Sequence, residues 1–232
     1  GKTSNEISYA IDKKILLINA ESKSEINEID RIASIKKKKV KIGIRLNPNT
    51  DAKTLSQIST GKKENKFGVN EKEFLKLVSY CQNSKNINLE CLSVHIGSQI
   101  LDHKPYEKML NIVDKIIVKT KHKFKFIDIG GGMGISYNEG SKKLNYRKYN
   151  VAIKKFLRRH SSKIIFEPGR SIVGDVGYLI SKVIYIKEND KKNFIILDAA
   201  MNDLMRPALY GVNHKTLPSM KRNQISKKIY EF

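Results

Sequence analysis

Short apolar runs alternate with amphipathic helical patterns from the N-terminus to Arg170, and this alternation limits the fold more than any other feature of the chain. Thr3-x-x-Glu6 is a capping box that predicts a helix to about Lys13, and Ser22-x-x-Glu25 predicts a second helix with Ile26, Ile29, Ile32 and Ala33 on one face. Between them Ile15–Ile18 reads as a buried strand, and Val40–Leu46 as the next. Asn70 caps a helix carrying Phe74, Leu77, Val78 and Cys81. Strand patterns follow at Leu89–Val94, Phe124–Ile129 and Ile164–Phe166, separated by helical patterns over Pro105–Val118 and Tyr146–Arg159. Strands with a helix in each interval indicate βαβ units and a parallel sheet.

The strand ends are more informative than the strands. In order they read Asn19-Ala-Glu21, Arg45-Leu-Asn47, His95-Ile-Gly-Ser98, Gly130-Gly-Gly-Met-Gly134 and Glu167-Pro-Gly-Arg170. Polar residues and glycines recur at the C-terminal end of every strand, which is the active face of a (β/α)8 barrel. A doubly wound sheet places ligands at the same ends and stays open as an alternative. Five strands do not close an eight-stranded barrel, so the barrel reading requires three more. The chain opens on Gly1 and stops at Phe232 without a closing element, so both ends are expected to be cut. Past Arg170 the strand-like runs Tyr178–Ile186 and Phe194–Leu197 have no convincing helix between them. A β-rich region is therefore expected to begin near Ser171, dividing the chain into a barrel part, 1–171, and the start of a β-domain, 172–232. The long polar segment Asn47–Gly68 has the length of a functional loop.

Composition narrows the class. Of 232 residues 40% are hydrophobic, enough for a buried core. The apolar runs fall far below the ~18 residues of a membrane span, and no signal-peptide core is present. Two cysteines cannot build a disulfide framework, and no Cys/His cluster has metal-site spacing, so a cytoplasmic protein without a metal is expected. The net charge of +22 invites a nucleic-acid reading, but 37 lysines against 8 arginines, spread along the chain, argue against one. The dense run Lys36–Lys39 reads as a solvated loop.

Four segments carry chemistry. Gly130–Gly134 follows a strand and offers backbone N–H groups to a phosphate, although a tight turn would look the same. It is not a dinucleotide fingerprint, because Tyr137 stands where the third glycine belongs, and it lacks the Gly-Lys-Ser/Thr ending of a P-loop. Glu167-Pro168-Gly169-Arg170 sets a carboxylate that could hold a proton on a heterocyclic nitrogen beside a guanidinium suited to an anion; a local ion pair is the plainer reading. His95 and Ser98 place an imidazole and a hydroxyl at another strand end. Arg206 and Tyr210 could both reach a carboxylate, or simply belong to a surface loop. Phosphate donors, a nitrogen-facing carboxylate, a ring-stacking imidazole and anion-binding arginines together suggest pyridoxal phosphate in a barrel.

Ser59–Gly68, His95–Gln99, Asp128–Gly132, Glu167–Arg170 and Met201–Gly211 resemble, in order, motifs of the diaminopimelate decarboxylase family, and the resemblance covers essentially the whole chain. It implies an alanine-racemase-like (fold type III) α/β barrel that binds pyridoxal 5'-phosphate, followed by a β-rich domain, and a cytoplasmic homodimer that converts meso-2,6-diaminopimelate to L-lysine and CO2. Glu167 would pair with the pyridine nitrogen and His95 would stack on the ring. Ser98, Gly132, Pro168, Gly169 and Arg170 would surround the cofactor and its phosphate, and Arg170, Arg206 and Tyr210 would hold the substrate's distal carboxylate. Arg45 would lie near the ring. The resemblance places the family's Schiff-base lysine upstream of Gly1 and its late Cys-Glu motif and tyrosine beyond Phe232. The 232 residues alone are therefore expected not to decarboxylate. The alternatives are a related ornithine, arginine or lysine decarboxylase and a catalytically dead binding relative.

Overall fold

A computed structural model describes residues 1–52, 60–61, 66–137 and 142–219. The chain divides into two compact units, Gly1–Ile135 with Lys142–Gly174, and Ser136–Ser141 with Asp175–Phe232. In chain order the first unit holds α1 (Ser4–Asp12), β1 (Ile18–Ala20), α2 (Lys23–Ile35), β2 (Val40–Arg45), α3 (Glu71–Asn83), β3 (Ile87–Ser93), α4 (Lys104–Thr120), β4 (Phe126–Asp128), α5 (Tyr146–Leu157), β5 (Lys163–Ile165) and α6 (Arg170–Val173).

All five strands are parallel, and their spatial order β1-β2-β3-β4-β5 is their order in sequence. A doubly wound sheet reverses its order at a switch point, whereas a barrel adds each strand beside the last. The sheet is thus five strands of a barrel, and α1 touches α2, α3 touches α4 and α4 touches α5 in the same succession.

The caps explain why the helices start where they do. Thr3 and Glu6 make the reciprocal capping box of α1. Ser22 caps α2 through the Glu25 amide, but the Glu25 carboxylate accepts from the Glu21 amide instead, at 2.7 Å, so this box is only half formed. Asn70 and Asn145 cap α3 and α5. Ile26, Ile29, Ile32 and Ala33 are all buried, and each fully buried isoleucine contributes roughly 1.5–3 kcal/mol.

The expected strand at Ile15–Ile18 is displaced. Helix α1 ends at Asp12 with Lys13 as its C-cap, Lys14 turns the chain with φ +53°, and Ile15 and Leu16 remain half exposed. Pairing starts only at Ile18, opposite Ile42. The Lys36–Lys39 run is the turn between α2 and β2, as expected, and Lys36 and Lys38 pair with Asp12 at 2.6 and 3.0 Å. Of the polar loop after β2, the described end returns at Val69, whose carbonyl accepts from the Asn47 amide at 2.8 Å; Ser59 and residues 62–65 of the quoted motif lie outside the described residues.

In the second unit β6 (Val183–Glu188) and β7 (Asn193–Leu197) form an antiparallel pair, followed by the short α7 (Arg206–Tyr210). The strand expected over Tyr178–Ile186 begins five residues later, at the first residue with a partner in β7, Val183 opposite Leu197. No helix among the described residues is long and apolar enough to cross a membrane.

Candidate functional site

Successive strand residues face opposite sides of a sheet. Ile18, Ile42, Ile44, Leu92 and Ile127 belong to the apolar core, while Asn19, Gly43, Ser93 and Asp128 meet on the other side. Asp128 is fully buried there, at 0% exposure, and a carboxylate in that position is costly unless it is richly hydrogen-bonded. It accepts from Asn19 Nδ2 at 2.8 Å, Ser93 Oγ at 3.0 Å and the Gly130 amide at 2.9 Å. Gly43 makes this possible. A Cβ on Gly43 would stand 2.0 Å from Asn19 Oδ1, so only glycine lets the asparagine lie across β2.

Beyond Asp128 the chain turns through the glycine run. Gly130 and Gly132 have φ +65° and +87°, a region that L side chains avoid. A Cβ on Gly132 would come within 2.2 Å of the Gly97 carbonyl, and one on Gly131 within 2.0 Å of the Glu167 carbonyl. The glycines therefore allow three strand-end loops to meet backbone to backbone. The Gly131 carbonyl accepts from the buried Tyr106 hydroxyl at 3.0 Å, and the Gly130 carbonyl from the Glu167 amide at 2.9 Å.

His95 sits half-buried just past β3, and its Nδ1 accepts from the Gly131 amide at 3.2 Å. That bond leaves the ring proton on Nε2. Burial, with the nearby Arg45 charge, pulls the imidazole below its ordinary pKa, so it stays neutral. Glu167 behaves in the opposite sense. Burial and the neighbouring Asp128 carboxylate raise it above its ordinary value, against the pull of Arg45. Arg45 itself pairs with Glu21 at 2.6 Å and lies over the Phe67 ring at 5.1 Å. Glu21 is also held by the Gly68 amide at 3.2 Å.

Ser98 lies half-buried beside the Gly97–Gly132 contact, and neither its hydroxyl nor the Gly132 amide is engaged by an acceptor among the described residues. Gly169 starts α6 with open space where a side chain would be, and exposed Pro168 precedes it. Arg170 donates to Gln99 Oε1 at 3.0 Å. Gln99 in turn brackets Ile135, accepting from its amide at 3.2 Å and donating to its carbonyl at 2.6 Å.

The structure thus gathers His95, Ser98, Gly132, Glu167, Pro168, Gly169 and Arg170 at one end of the sheet, the end anticipated for the active face. Arg206 and Tyr210 belong to the second unit, where the Arg206 guanidinium lies 5.3 Å from the Tyr210 ring and 5.5 Å from that of Tyr137. Sequence reasoning assigned no role to Asp128, Asn19, Ser93 or Gln99. Asp128 and Gln99 stood inside quoted motifs, so their positions were visible but their contacts were not.

Donors suited to a phosphate, an imidazole with depressed basicity and a carboxyl group at a neighbouring strand end form a set that fits a phosphorylated nitrogen heterocycle. The family profile described as "Pyridoxal-dependent decarboxylase, pyridoxal binding domain" matches residues 1–174. Diaminopimelate decarboxylase of Aquifex aeolicus is 40% identical over 222 residues, covering 94% of this chain and 53% of its own length. That of Helicobacter pylori is 41% identical over 231 residues, 97% of this chain and 57% of its own. The crystal structure of the Helicobacter pylori enzyme complexed with L-lysine superposes with a TM-score of 0.88 at 42% identity, over 93% of this chain and 55% of that one. The chain spans about half the length of the curated relatives it matches. With five barrel strands in succession and a family profile matched over residues 1–174, the chain belongs to the pyridoxal-dependent decarboxylases.

Proposed function

We propose that the protein to which these residues belong decarboxylates meso-2,6-diaminopimelate to L-lysine and CO2 with pyridoxal phosphate as cofactor. The observation that carries this reading is the TM-score of 0.88, at 42% identity, to a diaminopimelate decarboxylase complexed with L-lysine. In the same reading residues 1–171 are barrel and 172–232 the start of a β-domain, and the protein works as a cytoplasmic homodimer.

The residues present fit the cofactor. The Ser98 hydroxyl, the Gly132 amide and the backbone of Gly169 and Arg170 would hold the phosphate, with Pro168 stiffening the approach to Gly169. His95, kept neutral and oriented by the Gly131 amide, would cover a ring face without adding a charge. Glu167 would pair with the ring nitrogen and keep it protonated, its carboxylate accepting the N–H bond. When bound, pyridoxal phosphate supplies the electron sink for the pair left behind as the α-carboxylate departs as CO2. Arg170, Arg206 and Tyr210 would grip the distal carboxylate, with Gln99 steadying Arg170. A site built for that carboxylate leaves its cations unpaired when a substrate lacking one is bound, which is a strong basis for rejecting ornithine.

The test offers the whole protein, loaded with pyridoxal phosphate, meso-diaminopimelate, L-ornithine, L-arginine and L-lysine in turn. Release of CO2 with L-lysine from diaminopimelate alone, lost in Arg206→Ala, is the expected result. Comparable turnover of ornithine or arginine would overturn the substrate assignment, and no turnover of any would point to a non-catalytic relative.

A further inference from the structure

Tyr106 of α4 is fully buried, and the proposed reaction gives its hydroxyl no task. Its ring packs on that of Tyr149 from α5 with centroids 4.6 Å apart, and burial pushes the phenol up, so at neutral pH the hydroxyl keeps its proton to donate. It donates to the Gly131 carbonyl at 3.0 Å. That carbonyl and the Gly132 amide are the two ends of one trans peptide and point in opposite directions. A bond that draws the carbonyl toward Tyr106 therefore turns the Gly132 N–H away from it.

The peptides on either side are held from elsewhere. The Gly130–Gly131 unit accepts at its carbonyl from the Glu167 amide at 2.9 Å and donates its N–H to His95 Nδ1 at 3.2 Å. The Gly132 carbonyl accepts from the Ile100 amide at 2.9 Å. Between them the Gly131–Gly132 unit has the Tyr106 hydroxyl on its carbonyl, while its N–H meets no acceptor among the described residues. A peptide flanked by two glycines has no Cβ to resist its rotation, so its orientation depends on what grips it.

We propose that Tyr106 is a positioning residue for the cofactor's phosphate: by holding the Gly131 carbonyl, its hydroxyl keeps the Gly132 N–H turned out to meet a phosphate oxygen. The inference rests on the reading that pyridoxal phosphate occupies this strand-end site. The hydroxyl also polarises the peptide it grips, which makes the N–H at the far end a better donor. Tyr149 supplies an internal comparison. It belongs to the same ring pair and is also buried, but its hydroxyl has no partner among the described residues.

The experiment titrates the whole protein, freed of cofactor, with pyridoxal phosphate and with pyridoxal, which has the same ring and aldehyde but no phosphate. Absorbance reads binding without reference to turnover. Tyr106→Phe keeps the ring and its packing and deletes the bond. It should weaken pyridoxal phosphate about tenfold, the scale of one hydrogen bond to a charged group, and leave pyridoxal unchanged. Tyr149→Phe should change neither. An unchanged affinity for pyridoxal phosphate in Tyr106→Phe, an equal loss of both ligands, or a matching loss in Tyr149→Phe would show Tyr106 to be a packing residue only. In the wild type labelled with 15N-glycine, the Gly132 amide proton should move downfield with pyridoxal phosphate and not with pyridoxal, a test that stands even where Tyr106→Phe does not fold. An amide that ignores the phosphate would overturn the proposal while leaving the cofactor in its site. A wild type that takes up no pyridoxal phosphate would overturn the cofactor reading and this inference with it.

Discussion

Replacing Gly43 by alanine is the sharpest test of how the polar interior is built. The new Cβ would stand 2.0 Å from Asn19 Oδ1 and 3.0 Å from Cys91 Cβ. The backbone of β2 is pinned on both sides by β1 and β3, so Asn19 must swing away and its 2.8 Å bond to Asp128 is lost. A hydrogen bond to a buried charge contributes about 1.5–3 kcal/mol. The tight contact with Cys91 adds about 1 kcal/mol. The variant should therefore lose about 3 kcal/mol, lowering Tm by roughly 2–4 °C for each of them. Equilibrium urea unfolding of wild type, Gly43→Ala, Asn19→Ala and the double variant separates the two contributions. Once Asn19 is already alanine, only the Cys91 contact remains, and Gly43→Ala should then cost about 1 kcal/mol. The coupling should thus be about 2 kcal/mol. If Gly43→Ala costs the same in both backgrounds, the glycine is not there to admit Asn19.

Other outcomes follow from the same geometry. Gln99→Leu frees Arg170 from its 3.0 Å bond and should raise KM for diaminopimelate roughly tenfold, about 1.4 kcal/mol, with kcat much less affected; a selective fall in kcat would contradict a substrate-positioning role. Burial and Asp128 raise Glu167 above its ordinary value of 4.5, so between the two values the cofactor-free folded protein binds more protons than the unfolded chain, and its stability falls as pH rises through that window. Glu167→Gln should abolish that slope and leave the cofactor-free variant the more stable at neutral pH; parallel urea-midpoint profiles against pH would refute this. Burial pushes the Cys81 and Cys91 thiols up to about 12, so neither should react with an aromatic disulfide reagent at neutral pH until the protein is unfolded, and rapid labelling of the native protein would show the interior to be open.

Much of this arrangement was readable from local pattern. The helices from Ser4, Lys23, Glu71, Lys104 and Tyr146 were legible because caps and a 3.6-residue apolar period are local signals. The strand-end placement of His95, Ser98, Gly132 and Glu167 was legible because polar and glycine residues stand out against apolar strands. Ile15 and Leu16 misled because an apolar run looks the same whether it enters a sheet or approaches one. Which side of a strand faces the site depends on the register of its neighbours.

The chain by itself determined the succession of strands and helices, the end of the sheet at which chemistry gathers, and the residue types available there, since all of these follow from order and spacing. Only the tertiary structure decided between a barrel and a doubly wound sheet, because both share the same βαβ grammar and differ in spatial strand order alone. It alone also gave Asp128 its company. Asn19 and Asp128 are 109 positions apart, and a 2.8 Å contact across that separation exists only once four parallel strands have aligned and a glycine has left room between them.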